Sequence, residues 1–64
     1  MEAVLRYVLR AFEPGVRYSE KQVNQALSQF NEDTATLRRE LVEYGWLARE
    51  GGGGEYWLTE DAGK

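Results

Sequence analysis

The residues of this chain that are able to do chemistry are cationic and hydroxyl side chains near its middle. Arg17 and Lys21 stand close together, and Thr34, Thr36 and Arg39 follow within one short stretch. Lysine and arginine side chains contact phosphates, arginine also binds the edge of guanine through two hydrogen bonds, and threonine hydroxyls donate to either group. The pattern therefore indicates a candidate nucleic-acid contact set of Arg17, Lys21, Thr34, Thr36 and Arg39.

A plainer interpretation of the same residues stays open, because acidic residues are interleaved with them. Residues 33–44 contain two arginines but three carboxylates, and Arg39 stands four positions before Glu43. An exposed pair at that helical spacing contributes only about 0.3–0.5 kcal/mol. Arg17, Lys21 and Arg39 are then either a small phosphate-binding rim or an ordinary solvated surface.

Arg38 is predicted to act differently from its neighbour Arg39. At 100° per residue, Leu37, Leu41 and Tyr44 lie within about 60° of one another on a helix, and Arg38 falls inside that apolar arc. A half-buried guanidinium needs a carboxylate partner, since an unpaired charge out of water is costly. We therefore expect a structural polar network of Glu20, Asn24 and Arg38.

Catalytic and metal chemistry find no support in the composition. The chain has no His and no Cys, so the usual bases, nucleophiles and soft metal ligands are missing. The glycines at 51–54 precede a strand-like segment rather than a helix N-terminus, so they do not match a phosphate-binding loop. We expect no enzyme activity, no cofactor and no metal.

Length and charge limit the remaining classes. With 64 residues the chain makes one small domain, and no apolar run reaches the ~18 residues of a membrane span. No signal-peptide pattern opens the sequence, which favours a cytoplasmic protein without a membrane partner. The net charge of −3 argues against strong non-specific binding to polyanions.

Apolar periodicity and capping residues predict three helices. The first spans residues 2–12, where Met1, Leu5, Val8, Leu9 and Phe12 share one face, and Pro14-Gly15 ends it. The second begins at Ser19, whose spacing to Gln22 matches a capping box. The third runs from Asp33 or Thr34 to about Tyr44, with Gly45 as its C′ residue.

Short strand signals complete the order of elements. Residues 16–18 predict a brief strand, and residues 46–49 and 56–59 predict a hairpin whose glycine-rich tip is mobile. The order helix, strand, helix, tight turn, helix, hairpin is that of an α+β winged helix-turn-helix fold. We expect residues 1–59 to form this single domain and residues 60–64 to be a frayed polar tail.

If Glu50 pairs with Glu55 across the glycine loop, the pairing of all the other hairpin residues is fixed. Arg49 then faces Tyr56, and Leu47, Tyr56 and Leu58 turn to the core. Trp46 and Trp57 share the other face, where they either stack on bases or a partner, or cover the end of a helix. The tip itself carries no cation, although a hairpin that enters a minor groove needs one.

The first helix carries a second apolar patch beside its core stripe. Ala3, Val4, Tyr7 and Ala11 lie on this far side. A helix that is apolar over most of its circumference is usually buried on two sides. The patch therefore predicts a homodimer or a larger regulator protein as partner, unless the hairpin tryptophans cover it, with candidate interface residues Val4, Tyr7, Ala11, Trp46 and Trp57.

Three segments of the chain also carry a resemblance to a known family. Residues 12–24 (FEPGVRYSEKQVN), 33–42 (DTATLRRELV) and 45–49 (GWLAR), together with Tyr56, closely resemble domain of unknown function 2087. The resemblance implies a winged-helix-like fold, found alone or attached to bacterial transcription regulators of the ArsR type. It places the chain in a regulatory, DNA-related context without supplying a mechanism.

Two functions compete at this point. The first is a winged-helix domain of a bacterial transcription regulator that binds duplex DNA through its third helix. The alternative is a protein-interaction or dimerisation module that keeps the same fold. The acidic net charge and the cation-free tip favour the second, whereas the order of elements and the family context favour the first.

Overall fold

The elements of the domain alternate between helices and a small sheet. The computed structural model describes residues 2–52 and 54–64. Its elements are α1 (Glu2–Val8), a 3₁₀ turn (Leu9–Ala11), β1 (Tyr18–Ser19), α2 (Glu20–Ser28), α3 (Thr34–Glu43), β2 (Leu47–Arg49) and β3 (Glu55–Leu58). The described chain therefore contains three α-helices and a three-stranded antiparallel sheet of order β1-β3-β2. This composition confirms the predicted α+β class.

The first helix is shorter than predicted. Regular α-helix ends at Val8, and a 3₁₀ turn carries the chain to Phe12, whose extended backbone donates to the Leu9 carbonyl at 3.0 Å. The helix thus tightens into a 3₁₀ turn shortly before Pro14, which cannot continue a helix. Leu5, Val8 and Phe12 are buried as predicted, while the predicted place of Met1 in this stripe lies outside the described residues.

The start of α2 confirms the predicted capping box. The Ser19 hydroxyl accepts from the Gln22 amide at 3.1 Å, and the Gln22 side chain accepts from the Ser19 amide at 2.8 Å. The preceding strand lies at 18–19 rather than 16–18, because Tyr18 and Ser19 are the residues that pair with Tyr56 and Glu55 of β3. One further bond, from the Glu20 amide to the Gly54 carbonyl at 3.0 Å, ties α2 to the hairpin.

Both ends of α3 are capped by the residues that the sequence indicates. Asp33 is the N-cap. At the other end, Gly45 takes a φ of 78° and donates to the Val42 carbonyl, while Trp46 donates to Leu41, both at 3.0 Å. This pair of bonds is a Schellman motif. Tyr44, predicted in the apolar arc, is instead exposed at the C-cap, where its ring packs against that of Trp46 at 5.2 Å between centroids.

The predicted hairpin register is confirmed in full. Arg49 faces Tyr56, Ala48 faces Trp57 and Leu47 faces Leu58. The mobile tip predicted at 51–54 includes Gly53, which lies outside the described residues. Among the described residues, ten buried apolar side chains form the core: Leu5, Val8, Phe12, Val23, Leu27, Leu37, Leu41, Trp46, Leu47 and Tyr56.

Residues 60–64, predicted to be a frayed polar tail, form turns that pack against the rest of the domain. After β3 the chain turns twice, with the Ala62 amide bonded to Thr59 at 3.2 Å and the Lys64 amide to Asp61 at 3.0 Å. Ala62 packs against the core, and Arg6 of α1 donates to the Gly63 carbonyl. The polar segment 60–64 is thus held against the domain by one small apolar residue, Ala62, and by the bond from α1. Within residues 2–52 and 54–64, no helix has the length and apolar character required to cross a membrane.

Candidate nucleic-acid interface

A groove of about 460 Å³ separates α3 from the hairpin. Thr36, Arg39 and Glu43 line it from α3, Arg49 lines it from β2, and Arg38 and Tyr56 also contribute. The α3 side chains reach it because positions 36, 39 and 43 recur at helical spacing on the face that turns away from Leu37 and Leu41. Three guanidinium groups and one carboxylate therefore surround a single concave surface.

Arg38 is held by the polar network that the sequence predicts. Its guanidinium donates to the side-chain amide oxygen of Asn24 and lies 3.8 Å from the Glu20 carboxylate, and its side chain is 21% exposed. The buried Tyr56 hydroxyl donates to the same Glu20 oxygen at 3.3 Å. The network thus joins α2, α3 and β3, and it sets the position of α3 relative to the hairpin.

Arg39 is exposed and faces the groove with its donors available. The alternative pair with Glu43 is not formed, since within the described chain neither Arg39 nor Arg49 has a hydrogen bond or an ion pair from its guanidinium. Arg39 does act on the first turn of its helix. It contributes to holding the pKa of Asp33 below its usual range, after the side-chain and backbone hydrogen bonds from Thr36, which are the larger causes.

Thr36 does not match its predicted role as a donor to nucleic acid. Its hydroxyl donates to the Asp33 carboxylate at 2.7 Å, and its amide donates to the same carboxylate at 3.2 Å. The only hydroxyl hydrogen of Thr36 is therefore committed to the N-cap of α3, where one oxygen of the Asp33 carboxylate accepts from the amide and the other from the hydroxyl. Thr36 lines the groove but offers only its lone pairs to a ligand.

Arg17 is also committed elsewhere, which corrects the predicted phosphate-binding rim. Its guanidinium lies 3.1 Å from the Glu55 carboxylate and 4.2 Å from the centre of the Trp57 ring. These contacts pin β1 to β3 on the side of the hairpin away from the groove, since Trp57 and Tyr56 alternate across the strand. The sequence did not indicate them, because 38 positions separate Arg17 from Glu55.

Lys21 and Thr34 lie apart from the arginines, in a second and more polar groove between α2 and the start of α3. Its lining includes two carboxylates, Glu20 and Glu32, beside the single lysine. The five predicted nucleic-acid contacts are therefore divided among three places. Only Arg39 and Thr36 share the groove beside the hairpin.

Comparison with known proteins supplies the family. Residues 1–58 match the sequence model of the family DUF2087, which is described as an uncharacterized protein conserved in bacteria. The chain belongs to the DUF2087 family. The groove residues Thr36, Arg39 and Arg49 and the polar network around Arg38 all lie within the matched part. Neither the curated proteins nor the solved structures contain a match to the chain.

The predicted partner interface of this DUF2087 domain is only partly at the surface. Val4 and Tyr7 of α1 are 51% and 58% exposed, and Ala11 is half-buried. Trp46 is 3% exposed, so its assignment to a docking face is wrong. Because it follows the Schellman turn rather than lying within β2, its ring packs beside the end of α3, with Arg6 5.3 Å from the ring centre. Trp57 is half-buried beneath Arg17.

Arg49 is the groove residue that sequence reasoning missed in this DUF2087 domain. The sequence assigns it no functional role, although the predicted register places it opposite Tyr56. A side chain opposite a core residue shares the core face of the sheet. At the exposed end of that face, beyond the last apolar neighbour, Arg49 reaches the groove instead of the core.

Proposed function

We propose that this chain is a winged helix-turn-helix domain of a bacterial transcription regulator and that it binds duplex DNA through α3. The order of the elements supports the fold, since α2 and α3 are joined by a five-residue turn and a hairpin follows α3 at once. The family context of ArsR-type regulators supports the setting. A cytoplasmic location follows from the position of bacterial DNA.

The observation that carries the proposal is the clustering of arginines beside α3. Arg38, Arg39 and Arg49 are three of the eight cationic residues of the chain, whereas Glu43 is one of its eleven acidic residues. The groove is therefore positive while the rest of the surface is negative. Such a distribution attracts phosphates to one face and repels them from the others, which orients the domain on a duplex.

The test is fluorescence anisotropy of a labelled duplex of mixed sequence, about two helical turns long, across a salt series. We expect wild-type binding at low salt that weakens steeply as salt rises, because released counterions drive the association. Arg39→Ala is expected to weaken binding at least severalfold while leaving the melting midpoint unchanged. Its exposed guanidinium has no hydrogen bond or ion pair in the described part of the fold.

The matched control is Arg10→Ala, which removes the same charge from the side of α1. Arg10 lies over the Tyr7 ring, 5.6 Å from its centre, and does not line the groove. If both variants bind equally well, Arg39 has no specific part in DNA binding. If the wild type does not bind even at low salt, DNA binding itself is wrong.

The second candidate, a protein-interaction module, is favoured by the aromatic surface of α1. Tyr7 packs edge-on against Phe30 at 5.6 Å between ring centroids, and Val4 lies one helical turn before it. Two exposed apolar side chains beside a partly buried ring form a small patch of the kind that partners cover. Sedimentation equilibrium decides whether that partner is a second copy, since a monomer mass at every concentration excludes a homodimer.

A further inference from the structure

Arginine side chains in this domain divide into two groups. Those of the first group are each engaged: Arg6 with the Gly63 carbonyl and the Trp46 ring, Arg10 with the Tyr7 ring, Arg17 with Glu55 and Trp57, and Arg38 with Asn24 and Glu20. The second group is Arg39 and Arg49. In residues 2–52 and 54–64 neither guanidinium has a hydrogen bond, an ion pair or a ring contact.

The two uncommitted arginines come from different elements and line the same groove. Arg39 belongs to α3 and Arg49 to β2, and both side chains are exposed. Arg38 also lines the groove, and its position is fixed by the network to Asn24 and Glu20. The one carboxylate of the lining, Glu43, forms no ion pair with Arg39 or Arg49 in the described structure. An excess of guanidinium groups on one concave surface favours an anion with several acceptor oxygens.

The hairpin side of the groove is lined by Arg49 and Tyr56 and, in the described part of the chain, by no carboxylate. Two carboxylates flank the glycine segment, Glu50 and Glu55, and neither lines the groove. Glu55 lies on the other face of β3 from Tyr56, where it pairs with Arg17 at 3.1 Å. The ion pair of Arg17 is therefore separate from the groove that Arg49 lines.

A backbone phosphate of a DNA duplex is a suitable anion for the groove between α3 and the hairpin. A helix that lies in the major groove has a sugar–phosphate backbone on each side of it, and an element beside the helix meets that backbone rather than the base edges. On this domain the element beside α3 is the hairpin, and the groove between them carries the arginines. The acidic, glycine-rich tip is not required to enter a minor groove for this contact.

We infer that the groove receives one backbone phosphodiester of the bound duplex, held between Arg39 and Arg49, with Arg38 at its base. The inference rests on the proposed DNA binding and deepens it. It assigns Arg49 a role as a phosphate contact that carries no sequence information, whereas Arg39 is placed both to contact the phosphate and to face the base edges from α3. Arg38 is a positioning residue, because its donors serve the polar network first.

The experiment compares the salt dependence of Arg49→Gln with that of Arg10→Gln on the same duplex. We expect Arg49→Gln to make the slope of log Kobs against log salt shallower by about 0.9, the value for one lost phosphate contact. Arg10→Gln, which removes an equal charge far from the groove lining, is expected to keep the wild-type slope. Arg49→Lys is expected to restore the slope, since an ammonium group also releases a counterion. Unchanged melting midpoints show that each variant is folded.

Each outcome separates the inference from the function on which it rests. DNA binding in which Arg49→Gln keeps the wild-type slope overturns the phosphate contact and leaves the function standing. Absence of wild-type binding at low salt overturns both. A parallel titration of the wild type with inorganic phosphate follows the side-chain N–H signals of Arg39 and Arg49 by NMR. If these signals saturate while no duplex binds, the groove is a site for a free phosphate and the assignment to a DNA backbone is wrong.

Discussion

The adjacent residues Arg38 and Arg39 have different roles, because successive side chains of a helix are rotated by 100° about its axis. Arg38 points back towards α2, where Asn24 and Glu20 receive its donors, and its side chain is mostly buried. Arg39 points to solvent beside the groove. The first arginine fixes the position of α3, and the second is available to a ligand.

This division predicts that Arg38→Ala lowers the free energy of unfolding by at least ~1 kcal/mol. The substitution leaves the Asn24 amide and the Glu20 carboxylate without their cation and removes the aliphatic stem that covers the core. Urea denaturation followed by tryptophan fluorescence measures the change. The control is Arg39→Ala on the same helix, expected within about 0.5 kcal/mol of wild type. Equal midpoints for all three proteins would remove Arg38 from the structural network.

At the scale of elements, the boundary between α3 and β2 decides where the hairpin stands. The Schellman motif reverses the chain within two residues, so that Trp46 enters the core and Leu47 begins β2 immediately. The Thr59 hydroxyl donates to the Gly45 carbonyl at 2.5 Å, and its amide donates to Trp46 at 3.0 Å. The turn therefore leads directly into β2 and is hydrogen-bonded to Thr59, the residue that follows β3.

Gly45→Ala is accordingly expected to destabilise the domain by about 1 kcal/mol, because a φ of 78° is unfavourable for a residue with a Cβ. No neighbouring atom lies within 4 Å of the added Cβ, so the backbone conformation alone is the cause. Thermal unfolding measures the loss. Gly51→Ala is the matched control, since Gly51 has no left-handed φ and open space around it. A loss of the same size at both positions would contradict this explanation.

On the scale of the whole molecule, the last residues close the fold against α1. A domain of 64 residues buries only about 60% of its unfolded surface, so small additions to its core matter. Ala62 adds to the core, and the Gly63 carbonyl takes a bond from Arg6, whose guanidinium also lies over Trp46. The tail, α1 and the end of α3 thus meet at one corner of the molecule.

Deletion of residues 60–64 is therefore expected to lower the free energy of unfolding by about 1 kcal/mol, through the lost apolar burial and the lost bond from Arg6. Urea denaturation of the shortened chain checks the result. Lys64→Ala, which changes only an exposed side chain, serves as the control and is expected to match wild type. If the deletion has no effect, the tail does not contribute to the stability of the domain.

Local chemistry was sufficient to predict the order of the elements and several of their ends, although not the end of α1 or the bounds of β1. The capping box at Ser19, the glycine at 45, the apolar stripes and the hairpin register each depend on residues close together in the chain. The partners of Arg38 were also accessible, because a half-buried cation on one helix needs a carboxylate on the neighbouring one.

Tertiary structure alone decided which charged and aromatic side chains remain available. Arg17 finds Glu55 and Trp57 across the sheet, Thr36 gives its hydrogen to Asp33, and Trp46 enters the core after the Schellman turn. Such commitments depend on distances between elements that no local pattern contains. Arg49 joins Arg39 at the groove for the same reason, since only the packed hairpin brings β2 beside α3.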